Sequence, residues 1–271
     1  MSRLLAAADG PAFLALMKRY VVDYTNAHDQ SVTGEIMEPD YRLRMGDHYV
    51  VGRDGAYGQA TRKQMDQFPD LGLTVHEIWT SGERLAMRFS EHGASLRHGG
   101  NRAAWGGIGL YHWNGERLTT NMVEQDYFAR AAQLAEGRAH PVEAPALAPW
   151  KGVAAIPNRA VEQATRSWLE AGSLESTEGV FCDDAWLLGA GPQLIEQDRV
   201  AINDLFSCGS VAAFHATQYG TLREPIGSLR SGHGPVQLHM AGIVHVEGGE
   251  VARGRVIRNR LDLARSGRQA A

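Results

Sequence analysis

The stretch GLYHWNGERLTTNMVEQD, residues 109–126, decides the fold, because the chain writes it twice. Residues 242–259 read GIVHVEGGEVARGRVIRN. With no gap, Gly109 matches Gly242, Leu110 matches Ile243 and His112 matches His245. Gly115 then matches Gly248, Leu118 matches Val251 and Val123 matches Val256. Each copy reads as strand, glycine-containing turn, strand, which is the pattern of a hairpin. The last matched position sets Asp126 against Asn259, a carboxylate against its uncharged near-isostere.

Working outward, Pro141, Pro145, Pro149 and Pro157 fall in one short window, as in an extended, semi-rigid connector. The chain is thus expected to divide into a domain over 1–136, a linker over 137–157 and a second domain over 158–271. Each half opens on a helical pattern. In the first, Pro11 marks the start and Phe13, Met17, Tyr20 and Tyr24 recur at helical spacing. In the second, Asn158 is the expected N-cap, with Val161, Ala164, Trp168 and Leu169 on one face. Between helix and hairpin, residues 38–46 alternate Tyr41, Leu43 and Met45 against Arg42 and Arg44, a strand. Residues 52–68 read as a turn and a short helix, and residues 71–95 as two strands joined at Ser81-Gly82-Glu83. Grouped helices followed by meandering strands give an α+β fold rather than a parallel α/β sheet.

Composition narrows the function. The 271 residues are 44% hydrophobic and 21% charged, with net charge −4, which argues against a nucleic-acid partner. No run reaches the roughly 18 apolar residues of a membrane helix. The apolar patch at the N-terminus is broken by Asp9-Gly10-Pro11, too early for a signal peptide. The two cysteines, Cys182 and Cys208, fit reduced thiols, so a cytoplasmic location is expected. No HxxxH, clustered His/Cys or DxD spacing suggests a metal, and no GxGxxG, P-loop or GxSxG is present.

The order of elements, together with FPDLGLTVHEIWTSGERLAMRFSEHGAS (68–95) and VEQDYFARAAQLAEG (123–137), resembles the NTF2-like superfamily, specifically its SnoaL-like polyketide cyclase branch. The first stretch is similar to the family's FPDL–strand–GTH segment, although GTH is Gly93-Ala94-Ser95 here and the histidine is absent. The second is similar to its closing pattern, a strand-terminal Asp before a helix that ends here in Gln133-Leu134. The resemblance implies two tandem cone domains, each a curved antiparallel sheet wrapped on helices around an apolar pocket. It also implies cofactor-independent acid–base chemistry, as in cyclases, ketosteroid isomerase, dehydratases and aromatic-diol formaldehyde lyases. The fold hosts plain binding and scaffold modules as well. The expected activity is a lyase that eliminates water or a small aldehyde from an aromatic or polyketide-like substrate, with a SnoaL-type cyclase or an isomerase as alternatives. The two domains are expected to pair within the chain, with a homo-oligomer as a further possibility and no cofactor.

Strand period two sets Glu124 and Asp126 on one face with Leu118, Thr120 and Met122. If that face is concave, both acids enter the first cone, where burial tunes a carboxylate as acid or base. The other reading makes Asp126 a helix cap and Glu124 an ion-pair partner. The resemblance favours Asp126 as base. Glu124 or His48 would then be the partner acid and Tyr41 or Arg44 the anion stabiliser. Tyr49, Trp79, Arg88, His92 and Trp105 complete the candidate substrate contacts. A cross-strand ion pair is the alternative for Arg88, and plain core packing for the aromatic residues. Asn259 in place of the acid makes the second domain the degenerate one.

Overall fold

The computed structural model describes residues 2–174, 176–183 and 193–269. It divides into two compact units. Unit 1 comprises Met1–Val123 and Ala129–Ile156, and unit 2 comprises Glu124–Phe128 and Pro157–Ala271.

Unit 1 begins with helix α1 (Ser2–Arg19), which widens into a π-helical turn, Tyr20–Asn26. The helix starts well before Pro11, which lies inside it, so the expected start at Pro11 is corrected. Proline there forfeits one i→i−4 hydrogen bond and crowds the turn before it, in a helix anchored further on by buried Phe13, Leu14 and Met17. A short helix α2 (Thr33–Ile36) leads into β1 (Met37–Met45) and β2 (His48–Val51). Helix α3 (Gly58–Gln67), β3 (Gly72–Thr80), β4 (Arg84–Ala94), β5 (Arg102–Trp113), β6 (Leu118–Gln125) and α4 (Tyr127–Glu136) follow. The sheet order is β2-β1-β6-β5-β4-β3. It is mixed, because β1 runs parallel to β6 while β3, β4 and β5 form an antiparallel meander.

Alternation decides which face of this sheet is the core. Leu73 and Val75 of β3, Leu85, Met87 and Phe89 of β4, Tyr111 of β5 and Val123 of β6 join Phe13, Met17, Tyr20 and Tyr24 in one cluster. Phe13 stacks on Trp113 with ring centroids 4.7 Å apart, fastening α1 across the sheet. A side chain at Gly109 would collide with the Tyr111 ring, its Cβ coming within 2.8 Å, so glycine there is what lets that ring lie across the sheet. The proline-rich segment lies along edge strand β3. Ala146 donates to Val75 O at 2.8 Å and Ala155 to Thr80 O at 2.9 Å, covering an otherwise open edge.

Unit 2 repeats the plan with α5 (Arg159–Glu170), β7 (Val180–Cys182), β8 (Ile195–Cys208), β9 (Val211–Leu222), β10 (Val236–Glu247), β11 (Glu250–Arg258) and α6 (Arg260–Gln269). Its order, β7-β11-β10-β9-β8, is that of unit 1 without the outer β2, again with one parallel pair, β7 with β11. The architecture is α+β, two units with the same strand order, each a mixed sheet packed against helices. Asn158 caps α5 as expected, accepting from Ala160 N at 3.0 Å. Asn259 does the same for α6: its side chain accepts from Asp262 N at 3.2 Å and donates to Asp262 Oδ2 at 2.9 Å.

Candidate functional site

The interior of unit 1 is a nest of phenols. Tyr20 and Tyr24 come from the π-helical turn, Tyr41 from β1, Tyr57 from the turn before α3 and Tyr111 from β5, and all five are buried. Their rings pack edge-on or stacked. Tyr41 and Tyr57 have centroids 4.9 Å apart, Tyr20 and Tyr24 5.6 Å, and Tyr20 and Tyr111 5.7 Å. The Tyr20 and Tyr57 hydroxyls meet at 3.5 Å. The Tyr24 and Tyr41 hydroxyls and the Asn121 side-chain oxygen are buried without a hydrogen-bond partner. Asn121 is near enough to favour the Tyr41 phenolate slightly without closing a hydrogen bond to it. Each such group costs about 1–3 kcal/mol of desolvation, so three in one core are an expensive feature to retain.

Burial pushes the pKa values of all five phenols up. Repulsion from neighbouring phenols adds to it at Tyr20, Tyr41, Tyr57 and Tyr111, and Glu91 raises Tyr20, Tyr24 and Tyr111 further, while Thr61, Tyr57 and Arg62 oppose the rise at Tyr24. These hydroxyls therefore stay protonated at physiological pH and act as hydrogen-bond donors. Glu91 is 7% exposed, and its Oε2 accepts from Gln64 Nε2 of α3 at 2.6 Å. It lies opposite Trp105 in the β4–β5 register. Trp105, 1% exposed, packs on Phe68 with centroids 5.4 Å apart, and Arg130 lies over its ring.

Of the residues singled out from sequence, Tyr41 and Trp105 lie inside unit 1. Glu124 and Asp126 do share a face, but the expectation that this face lines the cone is corrected. Asn121 and Val123 hold the core-facing positions of β6, so Glu124 and Asp126 project from the other side. Both belong to unit 2. Glu124 Oε1 meets His215 Nε2 at 2.9 Å, and both side chains are fully buried. Asn203 Nδ2 lies 3.1 Å from His215 Nδ1 and donates to Thr217 Oγ1 at 3.0 Å, which in turn meets His239 Nδ1 at 3.0 Å. Since Asn203 Nδ2 is a donor, His215 Nδ1 accepts and Nε2 carries the proton that Glu124 receives. Asp126 is ion-paired with Arg260. Arg260 also approaches Asp183 at 3.3 Å, and Asp183 is gripped by Arg258 at 2.7 Å and 3.0 Å. Burial lowers the pKa of Arg260, but Asp183 and Asp126 outweigh it, leaving a firm cation.

Other candidates lie outside the cone. His48 and Tyr49 are exposed on β2, and Arg44 donates to Gly46 O at 3.4 Å beside the Tyr49 ring. Arg88 and His92 alternate with Met87, Phe89 and Glu91 and so occupy the opposite face. Arg88 pairs with Glu143 at 2.6 Å and with Glu77 across the strands at 3.4 Å. Trp79 donates to Glu77 at 2.7 Å, and His92 meets Thr74 at 3.2 Å. Burial, then repulsion from Arg102, lowers the His92 pKa. Sequence reasoning passed over Glu91, Tyr57 and Asn121. For Glu91 the signal was present, because it shares strand parity with Leu85, Met87 and Phe89.

Among the described residues no group of three His, Cys, Asp or Glu could hold a metal ion, and no helix is long and apolar enough to cross a membrane.

Residues 17–121 match the family model for a SnoaL-like domain. Among solved structures, a candidate SnoaL-like polyketide cyclase from Jannaschia sp. CCS1 is similar at 17% identity, with 45% of this chain and 90% of that one covered and a TM-score of 0.41. A candidate hydroxylase from Streptomyces galilaeus is similar at 19% identity, covering 45% and 83%, with a TM-score of 0.40. TsrD from Streptomyces laurentii shares 21% identity over 44% and 92%, with a TM-score of 0.40. No curated protein matches the chain.

Proposed function

The chain carries a SnoaL-like domain of the NTF2-like superfamily, and on that premise we propose a cofactor-independent acid–base enzyme working inside the cone of unit 1. The observation that carries this reading is the trio of buried, unpartnered polar atoms on Tyr24, Tyr41 and Asn121. Neutral phenols in an apolar interior are suited to receive the negative charge that develops on a substrate oxygen. They need no reorganisation to do so, and each such donor is worth roughly 10²–10³ in kcat.

The reaction class is proton removal next to a carbonyl or hydroxyl of an apolar aromatic or polyketide-like compound. Elimination of water or a small aldehyde, the lyase outcome, and SnoaL-type ring closure or isomerisation are different exits from one stabilised anion. Incubating the full chain with aromatic ketones, aryl diols and linear polyketide-like ketones, followed by mass analysis, separates them. A product lighter by water or formaldehyde identifies a lyase, and an isomer of unchanged mass identifies a cyclase or isomerase. Ligand binding with no product across the panel would overturn the enzyme reading in favour of a binding module.

A further inference from the structure

We propose that Glu91 is the proton acceptor of the unit 1 cone, held in place by Gln64, and that the cone takes a neutral, flat carbonyl compound. The inference rests on the acid–base reading above and supplies the base that reading lacks, since Asp126 and Glu124 project from the other face of β6.

Among the described residues of unit 1, Glu91 is the one buried carboxylate. It stands on β4 in line with Leu85, Met87 and Phe89, all members of the apolar core, so its side chain enters the same interior. Nothing about a strand in that pattern calls for an acid. A valine or leucine would pack there without desolvation cost, which makes the carboxylate expensive and its retention informative. Gln64 reaches from α3 to fix one carboxylate oxygen at 2.6 Å. The Glu91 charge is felt at the Tyr20, Tyr24 and Tyr111 hydroxyls, and ring contacts of Tyr24 and Tyr41 with Tyr57 join Tyr41 to the same phenol cluster. Trp105, directly opposite Glu91 in the register, gives a flat ring an aromatic wall. A substrate that brings its own carboxylate near Glu91 would add like charge in low dielectric, and this favours a neutral one.

The step balances as follows. The C–H bond beside the substrate carbonyl breaks and its proton passes to Glu91. The C–H electron pair becomes the new C=C bond, and the carbonyl π pair moves to oxygen. The resulting enolate oxygen accepts hydrogen bonds from the Tyr24 and Tyr41 hydroxyls. In a substrate with a β,γ double bond the enolate extends to a dienolate, and Glu91 returns the proton to the γ-carbon as the carbonyl re-forms, giving an isomer. In a β-hydroxy substrate the oxygen pair re-forms the carbonyl and the enolate C=C pair becomes the Cα–Cβ double bond. The Cβ–O bond breaks with its pair, and the departing hydroxide takes the proton from Glu91 and leaves as water.

Two probes test this on the full-length protein: exchange of the α-hydrogens of 2-tetralone in D2O, followed by NMR, and fluorescence titration with 2-naphtholate, an enolate mimic. We expect Glu91→Gln to cut exchange by about 10²–10⁴-fold, the usual worth of a positioned base. The same variant should bind 2-naphtholate about tenfold more tightly, because the amide mimics the protonated acid and removes a like charge. Glu91→Asp, which keeps the charge but shortens its reach, should retain part of the exchange and serves if the glutamine variant fails to fold. Gln64→Leu should move the pH midpoint of exchange upward, since it removes a hydrogen bond to the carboxylate. A merely structural Gln64 would leave that midpoint in place. If Glu91→Gln exchanges 2-tetralone at the wild-type rate while Tyr41→Phe does not, Glu91 is not the acceptor and the acid–base reading survives. If the wild-type protein neither exchanges 2-tetralone nor binds 2-naphtholate, both readings fall together.

Discussion

The two units share a strand order and fill their interiors with different side chains. In unit 1 Gly109 makes room for the Tyr111 ring, and four more tyrosines, Asn121 and Glu91 share that interior. In unit 2 the matched Gly242 makes room for Phe214, whose ring a side chain there would meet at 2.3 Å. The surrounding cluster, Val161, Trp168, Leu169, Ala216, Met240, Val244 and Val256 among them, is apolar. Of the polar groups of β9, His215 and Thr217 lie on the face away from Phe214 and Ala216, while Gln218 shares the face of Phe214 and Ala216 and donates to Gln197 Oε1 at 3.0 Å. The same repeated hairpin thus supports one interior lined with five phenols and a carboxylate and another that is mostly aliphatic, with Gln218 as a polar exception. An open groove of unit 2, between α5 and the β10–β11 turn, is lined by Ala160, Ala164, Trp168, Thr177 and Val251, with Glu250 the one ionisable group among the described lining residues. A carboxylate with no second titratable group is a poor start for acid–base chemistry.

The largest expected effect lies in unit 2, where polar groups hold structure. Arg258 is fully buried and holds Asp183 by two side-chain contacts and a backbone hydrogen bond at 2.8 Å. Arg258→Met leaves a buried charge short of its partner and should cost about 3–5 kcal/mol. Urea denaturation measures it, and a loss under 1 kcal/mol would show that the network is not structural.

Asp126→Asn follows, at about 1–3 kcal/mol, because Arg260 keeps Asp183 when it loses Asp126. This variant also separates the two units directly. With Glu91 as base it lowers stability and spares 2-tetralone exchange. If it abolishes exchange in a protein of unchanged stability, Asp126 is the base and the assignment to unit 1 is wrong.

Tyr41→Phe should move the other way. Its hydroxyl has no partner, so deleting it is expected to leave stability unchanged or raise it by about 1 kcal/mol. Its 2-naphtholate affinity should nevertheless fall at least tenfold, giving a gain in stability with a loss of binding. If stability drops by 2 kcal/mol instead, the hydroxyl is satisfied in solution and the site loses its main support.

The hairpin repeat, the cap at Asn158 and the β3–β4 turn were legible because hydrophobic alternation and turn chemistry are local. The shared face of Glu124 and Asp126 was legible for the same reason. Which face it was could not be read, because parity fixes a set and not the side that meets the core. Leu118 misled here: it joins the core cluster although it shares parity with Glu124. The register between β1 and β6 shifts between Met37 and Arg42, where Met37 pairs with Leu118, so the start of β6 does not follow the alternation of its end. The arginines that hold Asp126 and Asp183 lie about 75 to 134 residues away in sequence, beyond the reach of any local pattern.

The smallest effect distinguishes the edges of the two sheets. On edge strand β3, His76 Nδ1 donates to Ala144 O at 3.0 Å, pinning the proline-rich segment, while Nε2 accepts from Ser90 at 2.8 Å. Burial lowers its pKa below the usual 6.5; the Ala144 carbonyl opposes this, Arg88 adds to it, Glu143 opposes it and His92 adds to it. The unfolded chain therefore takes up a proton at a higher pH than the folded one. Between those two values stability falls as pH falls, starting near the unfolded value and levelling out below the folded one. The corresponding edge strand of unit 2, β8, contains no histidine. His76→Gln should accordingly flatten the acid side of the stability profile, measured as urea midpoints from about pH 7.5 to about pH 5. The flattening should be partial, because the His92 pKa is lowered in the same sense and remains. An unchanged slope would mean that acid does not act on unit 1 through this strand.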